Sequence, residues 1–175
     1  MYFWVNFLTF NMNKAVFLDR DGVINHDPGD YTYNLREFKL NDGIIENLKR
    51  FYDNGYLLVI ITNQGGISKN LYTHEDVEEI HNYFKDELKK VDVELAEIYY
   101  CPHHSVNEEC ICRKPSSLMI EKALARFDID PEKSFMLGDK PRDVECAENA
   151  GVKGIKVDIN KNIEKYVDLI LNHKS

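Results

Sequence analysis

Positive charge is in short supply in this chain. Its 22 Lys and Arg residues face 30 Asp and Glu residues, a net charge of −8. That balance excludes broad, sequence-independent nucleic-acid binding, which rests on neutralising phosphates, and leaves room only for a local basic pair that holds a small anion. Long apolar runs are missing too. The richest stretch, Met1 to Phe10, falls far short of the ~20 residues that a membrane helix needs. It also lacks a basic leader and a small-residue cleavage site, so neither a membrane partner nor an export signal is expected, and a cytoplasmic location is. Residues 1–13 read as an N-terminal extension outside the core, with a single domain over 14–175. Cysteine is sparse and uneven: Cys101, Cys110 and Cys112 crowd into 12 residues while Cys146 stands alone. Without export, disulfides are disfavoured and a metal site becomes the expectation for the three.

Short apolar runs alternate with helical periodicity, the pattern of an α/β, Rossmann-like three-layer sandwich with a mainly parallel central sheet. Strands are predicted at Ala15 to Leu18, Leu57 to Ile61, Ile98 to Tyr100, Ser134 to Leu137 and Gly154 to Val157. Helices are predicted from Asp42 to a stop at Gly55, from a capping box at Thr73 and Asp76 onward, over Leu118 to Phe127, and from Asp143 to Gly151. Val167 to Leu171 reads as an edge strand or a short helix. Asn25 to Leu40, rich in Asp, Tyr, Pro and Gly, reads as a short flap over the first strand's exit rather than a cap domain. His74, His81 and His173 read as solvated positions, His26 as a flap residue within reach of substrate, and Cys146 as core packing.

Three strand runs end in polar residues: Asp19 after Phe17-Leu18, Thr62-Asn63-Gln64 after Ile60-Ile61, and Gly138-Asp139 after Met136-Leu137. Such residues can simply mark turns. In an open parallel sheet, however, ligands bind outside the carboxyl ends of the strands, where all three would meet. In Asp19-Arg20-Asp21-Gly22 the two carboxylates lie two residues apart, a spacing that on extended chain aims both at one side. One can attack while the other moves protons.

Asp19-x-Asp21-Gly22, Thr62-Asn63, Arg113-Lys114-Pro115 and Gly138-Asp139-Lys140 with Asp143, in that order, resemble the four motifs of the haloacid dehalogenase superfamily of phosphatases. The resemblance spans Lys14 to Val157. It implies a phosphoric monoester hydrolase working through an aspartyl-phosphate with Mg²⁺. By carry-over Asp19 is the nucleophile, and Mg²⁺ is held by Asp19, Asp139 and the backbone carbonyl of Asp21. Asp21 serves as acid and base, a role that calls for a raised pKa. Thr62, the Asn63 amide and Lys114 neutralise the phosphoryl oxygens, and Asp143 orients Lys114 or the metal's waters. Lys114 has a bland alternative as a solvated surface lysine, which its Arg113 and Pro115 neighbours disfavour.

Cys101-Pro102-His103, six residues, then Cys110-Ile111-Cys112 form a Cys₃His set. Three thiolates and an imidazole suit tetrahedral Zn²⁺ with no open position, hence a structural metal; free thiols or a disulfide are the competing reading. His104 could replace His103, and the family motif favours His103. Zinc would then fix the loop that presents Arg113 and Lys114. The zinc loop and the missing cap look like the superfamily branch acting on heptose bisphosphates and histidinol phosphate. Tyr100 to His104 and Lys140 lean toward removal of the 7-phosphate from a heptose 1,7-bisphosphate. That likeness implies substrate contacts from Asp27, Pro28, Gly29 and Asp30 in the flap, from Asn63, Gln64 and Gly65, and from Arg113 and Lys140. A bidentate Arg113 would read the second phosphate. A nucleic-acid 3′-phosphatase would need a basic groove that this chain does not offer, and a non-catalytic zinc-organised binding module would need inert aspartates. A monomer is expected.

Overall fold

The computed structural model describes residues 12–172; the expectations for residues 1–11 and His173 lie outside them. Five strands form one all-parallel sheet: β1 Lys14–Leu18, β2 Tyr56–Asn63, β3 Glu97–Cys101, β4 Phe135–Gly138 and β5 Lys153–Lys156. Their spatial order is β3-β2-β1-β4-β5. The chain winds outward from β1 through β2 to β3, then returns to lay β4 on the other side of β1. The topological switch therefore lies between β1 and β4, where a crevice opens at the carboxyl ends.

The period-2 alternation of the strands builds two cores. Val16, Leu18, Leu58 and Ile60 face one way and pack with helices α1 Ile44–Asp53, α2 His74–Lys89 and α5 Glu164–Leu171. Ala15, Phe17, Val59 and Ile61 face the other way and pack with α3 Leu118–Phe127 and α4 Pro141–Asn149, where Cys146 is fully buried. Sheets covered on both faces need such continuous apolar strands.

Local signals set the helix ends. The Thr73 hydroxyl accepts from the Asp76 amide and the Asp76 carboxylate accepts from the Thr73 amide, the predicted capping box. α1 starts near Asp42 as expected, with Gly43 as its N-cap, where the backbone is left-handed and a side chain would strike Asn162. The last segment is a helix, with Val167 and Ile170 buried at helical spacing. Asn13, at the end of the expected extension, bridges to Ile129 and donates to the Phe127 carbonyl. His81 is a correction: it is buried on the same α2 stripe as Val77, Ile80, Phe84 and Leu88. The flap carries no strand, only isolated bridges from Asn25 to Asp21 and Leu40.

Candidate active site and metal clusters

The crevice between β1 and β4 gathers buried charges from four chain segments. Asp19 follows β1 directly, and its amide donates to the Leu137 carbonyl, which fixes it against β4. Asp139 follows β4, and Asp143 sits in the first turn of α4. The Asp19, Asp139 and Asp143 carboxylates offer oxygens within 4.8 Å of one another, all buried. Lys114 reaches in from the loop before α3, with its side chain fully buried. Its ammonium has three donors and three partners: Asp19 Oδ1 at 2.8 Å, Asp143 Oδ1 at 2.7 Å and the Ile61 carbonyl at 2.7 Å. This excludes the solvated-lysine alternative. Two glycines make room: a Cβ on Gly138 would lie 2.2 Å from that of Asp143, and one on Gly22 would lie 2.9 Å from the Asp139 carboxylate.

Burial pushes the Asp19 carboxyl up to about 7 against the pull of Lys114, and burial likewise works against the Lys114 charge, but Asp19 and Asp143 outweigh it and raise that pKa. Oδ1 of Asp139 is buried without a hydrogen-bond partner, while its Oδ2 pairs with Lys140 Nζ at 2.6 Å. Hard, clustered carboxylate oxygens with one orphaned atom fit a hard divalent cation such as Mg²⁺.

Asp21 departs from expectation. The strand stops at Leu18 and the chain turns at Arg20, so the two-residue spacing does not act on extended chain. The Asp21 side chain stands outside the carboxylate cluster and faces Arg20, whose Nη2 lies 2.9 and 3.0 Å from the two carboxylate oxygens. Asn25 Nδ2 and Gln64 Nε2, each at 3.0 Å, complete the shell. Burial pushes Asp21 up, but the Arg20 guanidinium and these hydrogen bonds prevail, so its pKa is lowered rather than raised.

A hollow of about 410 Å³ opens over this floor, lined by Asp21, Asp27, Gly29, Asp30, Asn63 to Gly65, Arg113 and Lys140 among others. Pro28 does not line it; with His26 it lines a second hollow that shares Asp30 and Tyr31 with the first. Lys140 ties the flap to the floor, 3.1 Å from Asp27 Oδ2. Asn63 clamps the Lys114 backbone, accepting from its amide at 3.0 Å and donating to its carbonyl at 3.2 Å. Gln64 lines the hollow with its side chain already bonded. Its amide hydrogens serve Asp21 and the Thr62 hydroxyl, and its oxygen accepts from Tyr72. With both donors engaged, the side chain braces the floor of the site. Burial pushes the Tyr72 phenol up to about 12, so it stays a donor.

Sequence reasoning passed over Arg20, Tyr72 and Arg142. Arg142 lines the hollow beside Lys140, and its place in the first turn after Gly138-Asp139 was the available signal. Nothing in the sequence signals that Arg20, between two aspartates, would be almost fully buried.

The second cluster lies in the loop from Cys101 to Cys112. Cys101 Sγ is 3.2 Å from Cys112 Sγ and 3.6 Å from Cys110 Sγ, and His103 Nδ1 is 3.3 Å from Cys112 Sγ. The edge of a tetrahedron around Zn²⁺ with ~2.3 Å sulfur bonds is about 3.8 Å, so these donors are spaced for one ion. All four cysteines are free thiols. His104 stays out, its Nδ1 accepting from the Val106 amide. Arg113 leaves this loop with its guanidinium donating to the His103 carbonyl at 2.8 Å.

Fold and site together define a phosphatase of the α/β class that carries its carboxylates at strand ends, and comparison with known proteins agrees. A HAD-hydrolase-like family model matches residues 111–167. The chain belongs to the haloacid dehalogenase superfamily of phosphatases, in the branch of its heptose-bisphosphate relatives. It is 42% identical to the D-glycero-beta-D-manno-heptose-1,7-bisphosphate 7-phosphatase of Haemophilus influenzae over 81% of this chain and 79% of that one. It is 42% identical to the Campylobacter jejuni enzyme named for the alpha anomer, over 79% and 78%. Among solved structures, a D,D-heptose 1,7-bisphosphate phosphatase from B. bronchiseptica, complexed with magnesium and phosphate, matches with a TM-score of 0.79 at 28% identity. That match covers 89% of this chain and 86% of the other. No helix among the described residues is long and apolar enough to cross a membrane.

Proposed function

We propose that the protein removes the 7-phosphate of D-glycero-D-manno-heptose 1,7-bisphosphate, with Asp19 as nucleophile, in one catalytic domain from about residue 14 onward. The observation that carries this reading is the buried Lys114 ammonium, held between Asp19 and Asp143 at the strand ends. It fixes the nucleophile's orientation and leaves positive charge where a phosphoryl group would arrive.

An Asp19 oxygen bonds to phosphorus, the bond from phosphorus to the sugar oxygen breaks, and that oxygen takes a proton from Asp21. Water then attacks phosphorus and gives a proton back to Asp21. The Asp19–phosphorus bond breaks, releasing inorganic phosphate and the free carboxylate. Thr62 through its hydroxyl, the Asn63 amide and Lys114 oppose charge on the transferring oxygens. Mg²⁺ would be held by Asp19, Asp139 and the Asp21 carbonyl, and when bound it supplies charge neutralisation at the phosphate. For Asp21 to donate, one of its present hydrogen bonds must give way, since every acceptor site of its carboxylate is engaged.

Arg113 and Lys140 at the rim of the hollow suit the second phosphate, and Asp27 to Asp30 suit sugar hydroxyls. Zn²⁺ on Cys101, His103, Cys110 and Cys112 would be structural. Three reduced thiols beside an imidazole suit a reducing cytoplasm, and every step described uses residues of a single chain, consistent with a monomer.

The test is phosphate release with Mg²⁺ from both anomers of the heptose bisphosphate, histidinol phosphate and fructose 1,6-bisphosphate. One heptose anomer is expected to lead the panel, and to exceed histidinol phosphate by at least ~10²-fold in kcat/KM, because a site that grips a second phosphate rejects an analogue lacking it. Preference for histidinol phosphate would overturn the substrate.

A further inference from the structure

Arg20 is the largest of the fully buried side chains, and the proposed reaction gives it no task. Its guanidinium forks onto Asp21, and its Nη2 also donates to the backbone carbonyl of Thr32 in the flap at 2.9 Å. On the other side of Asp21, Gln64 Nε2 donates to Oδ2, and Gln64 Oε1 accepts from the Tyr72 hydroxyl at 2.9 Å. The Tyr72 ring in turn meets the flap. It stacks on Tyr33 at 5.5 Å between centroids and meets Tyr31 edge-on at 5.7 Å. Two arms therefore leave the same carboxylate and close on adjacent flap residues, 31 to 33, while Tyr31 and Thr32 line the hollow that an occupant would fill.

We propose that Arg20 and the Gln64–Tyr72 pair are positioning residues that tie the orientation of the Asp21 carboxylate to the docking of flap residues 31–33. This rests on the reading of Asp21 as proton donor to the leaving oxygen. Arg20 touches no reacting atom; it acts through Asp21. Held from both sides, the Asp21 carboxylate has few alternative arrangements, so a ligand that presses on Thr32 moves the partners of Asp21 as well. The neighbouring Nη1 of Arg20 and Oγ1 of Thr32 are both buried without partners, which leaves this junction able to rearrange without breaking every bond at once.

A leaving-group comparison tests it, because kcat/KM reports the steps up to expulsion of the leaving group. A sugar alkoxide needs a proton from Asp21, whereas p-nitrophenolate leaves without one. Arg20→Met is expected to lower kcat/KM on the heptose bisphosphate by about 10²-fold and on p-nitrophenyl phosphate by less than threefold. Tyr72→Phe, which keeps the ring stack and removes only the hydroxyl, should give a smaller split of the same sign. Arg20→Lys, which keeps the charge but cannot fork, should fall between wild type and Arg20→Met. Equal losses on both substrates in all three folded variants, judged by circular dichroism, would overturn the proposal and leave Arg20 a structural residue. Asp21→Asn is run alongside. If it shows the split and the three variants do not, the relay is wrong; if it shows none, the assignment of Asp21 as proton donor is what fails.

Discussion

Two clusters flank the Arg113–Lys114 pair, and they are held in opposite ways. Carboxylates and ammonium at the strand ends rest on the sheet itself: the Asp19 amide is bonded to β4, and the Lys114 ammonium to a carbonyl of β2. The thiols and imidazole of residues 101–112 hang on a surface loop in which Val106 and Ile111 are 80% and 78% exposed. Of that set only Cys101, the last residue of β3, is buried. A site supported by strands can keep its shape without a metal, whereas a loop with so little apolar burial would gain its order from a bound ion. On the proposed reading the first cluster carries the chemistry, and Zn²⁺ in the second would shape the presentation of Arg113 and Lys114.

The sharpest way to break this contrast lies inside the first cluster. Asp19→Asn is expected to cut turnover by at least ~10⁴-fold, the scale seen when a nucleophile is removed. Its unfolding free energy should stay level or rise, because one of the two acids gathered around a single ammonium is gone. Lys114→Met is expected to lose both activity and stability, the latter by about 3–5 kcal/mol in urea unfolding, since it leaves two buried carboxylates without their cation. Equal stability of the two variants would contradict a charge-balanced cluster.

Next in size is the loop. Removing its metal with a chelator, or breaking the set by Cys110→Ser, is expected to reduce kcat/KM by roughly 10–100-fold. One equivalent of zinc should be lost in parallel by atomic absorption, with circular dichroism of the sheet preserved. Full activity in a zinc-free protein would show that Arg113 and Lys114 need no such support.

How much of this was legible follows from the same physics. Apolar runs ending in Asp19, Thr62 and Asp139 announced the crevice, because parallel strands buried on both faces leave few polar residues other than those at their ends. Cys₃His spacing announced the second cluster for a similar reason: few side chains suit a closed tetrahedral site. Burial of charged residues was not legible. His81 carries a polar label, yet it falls four residues after Val77 and three before Phe84, on the stripe that faces the sheet. Asp21 was expected to have a raised pKa, since the neighbour that lowers it, Arg20, turns inward only because the strand ends at Leu18.

The smallest expected effect uses that buried histidine as a contrast to Lys114, a buried cation that has partners. Burial, with Arg20 and Lys85 adding to it, lowers the His81 pKa from 6.5 to about 3. The unfolded chain binds this proton below about 6.5 while the folded one does not, so stability should fall as pH drops from about 6.5 toward 3. His81→Leu should flatten that slope by up to one proton in urea titrations across the range. An unchanged slope would mean that His81 is charged in the folded protein.

The central claim is that Asp19 carries the phosphoryl group in transit. Acid quenching of the enzyme during turnover, followed by peptide mass mapping, tests it most directly. The account predicts a phosphoryl adduct on the peptide holding Asp19, absent in Asp19→Asn. Sustained turnover with the adduct on another residue, or on none at any quench time, would contradict it.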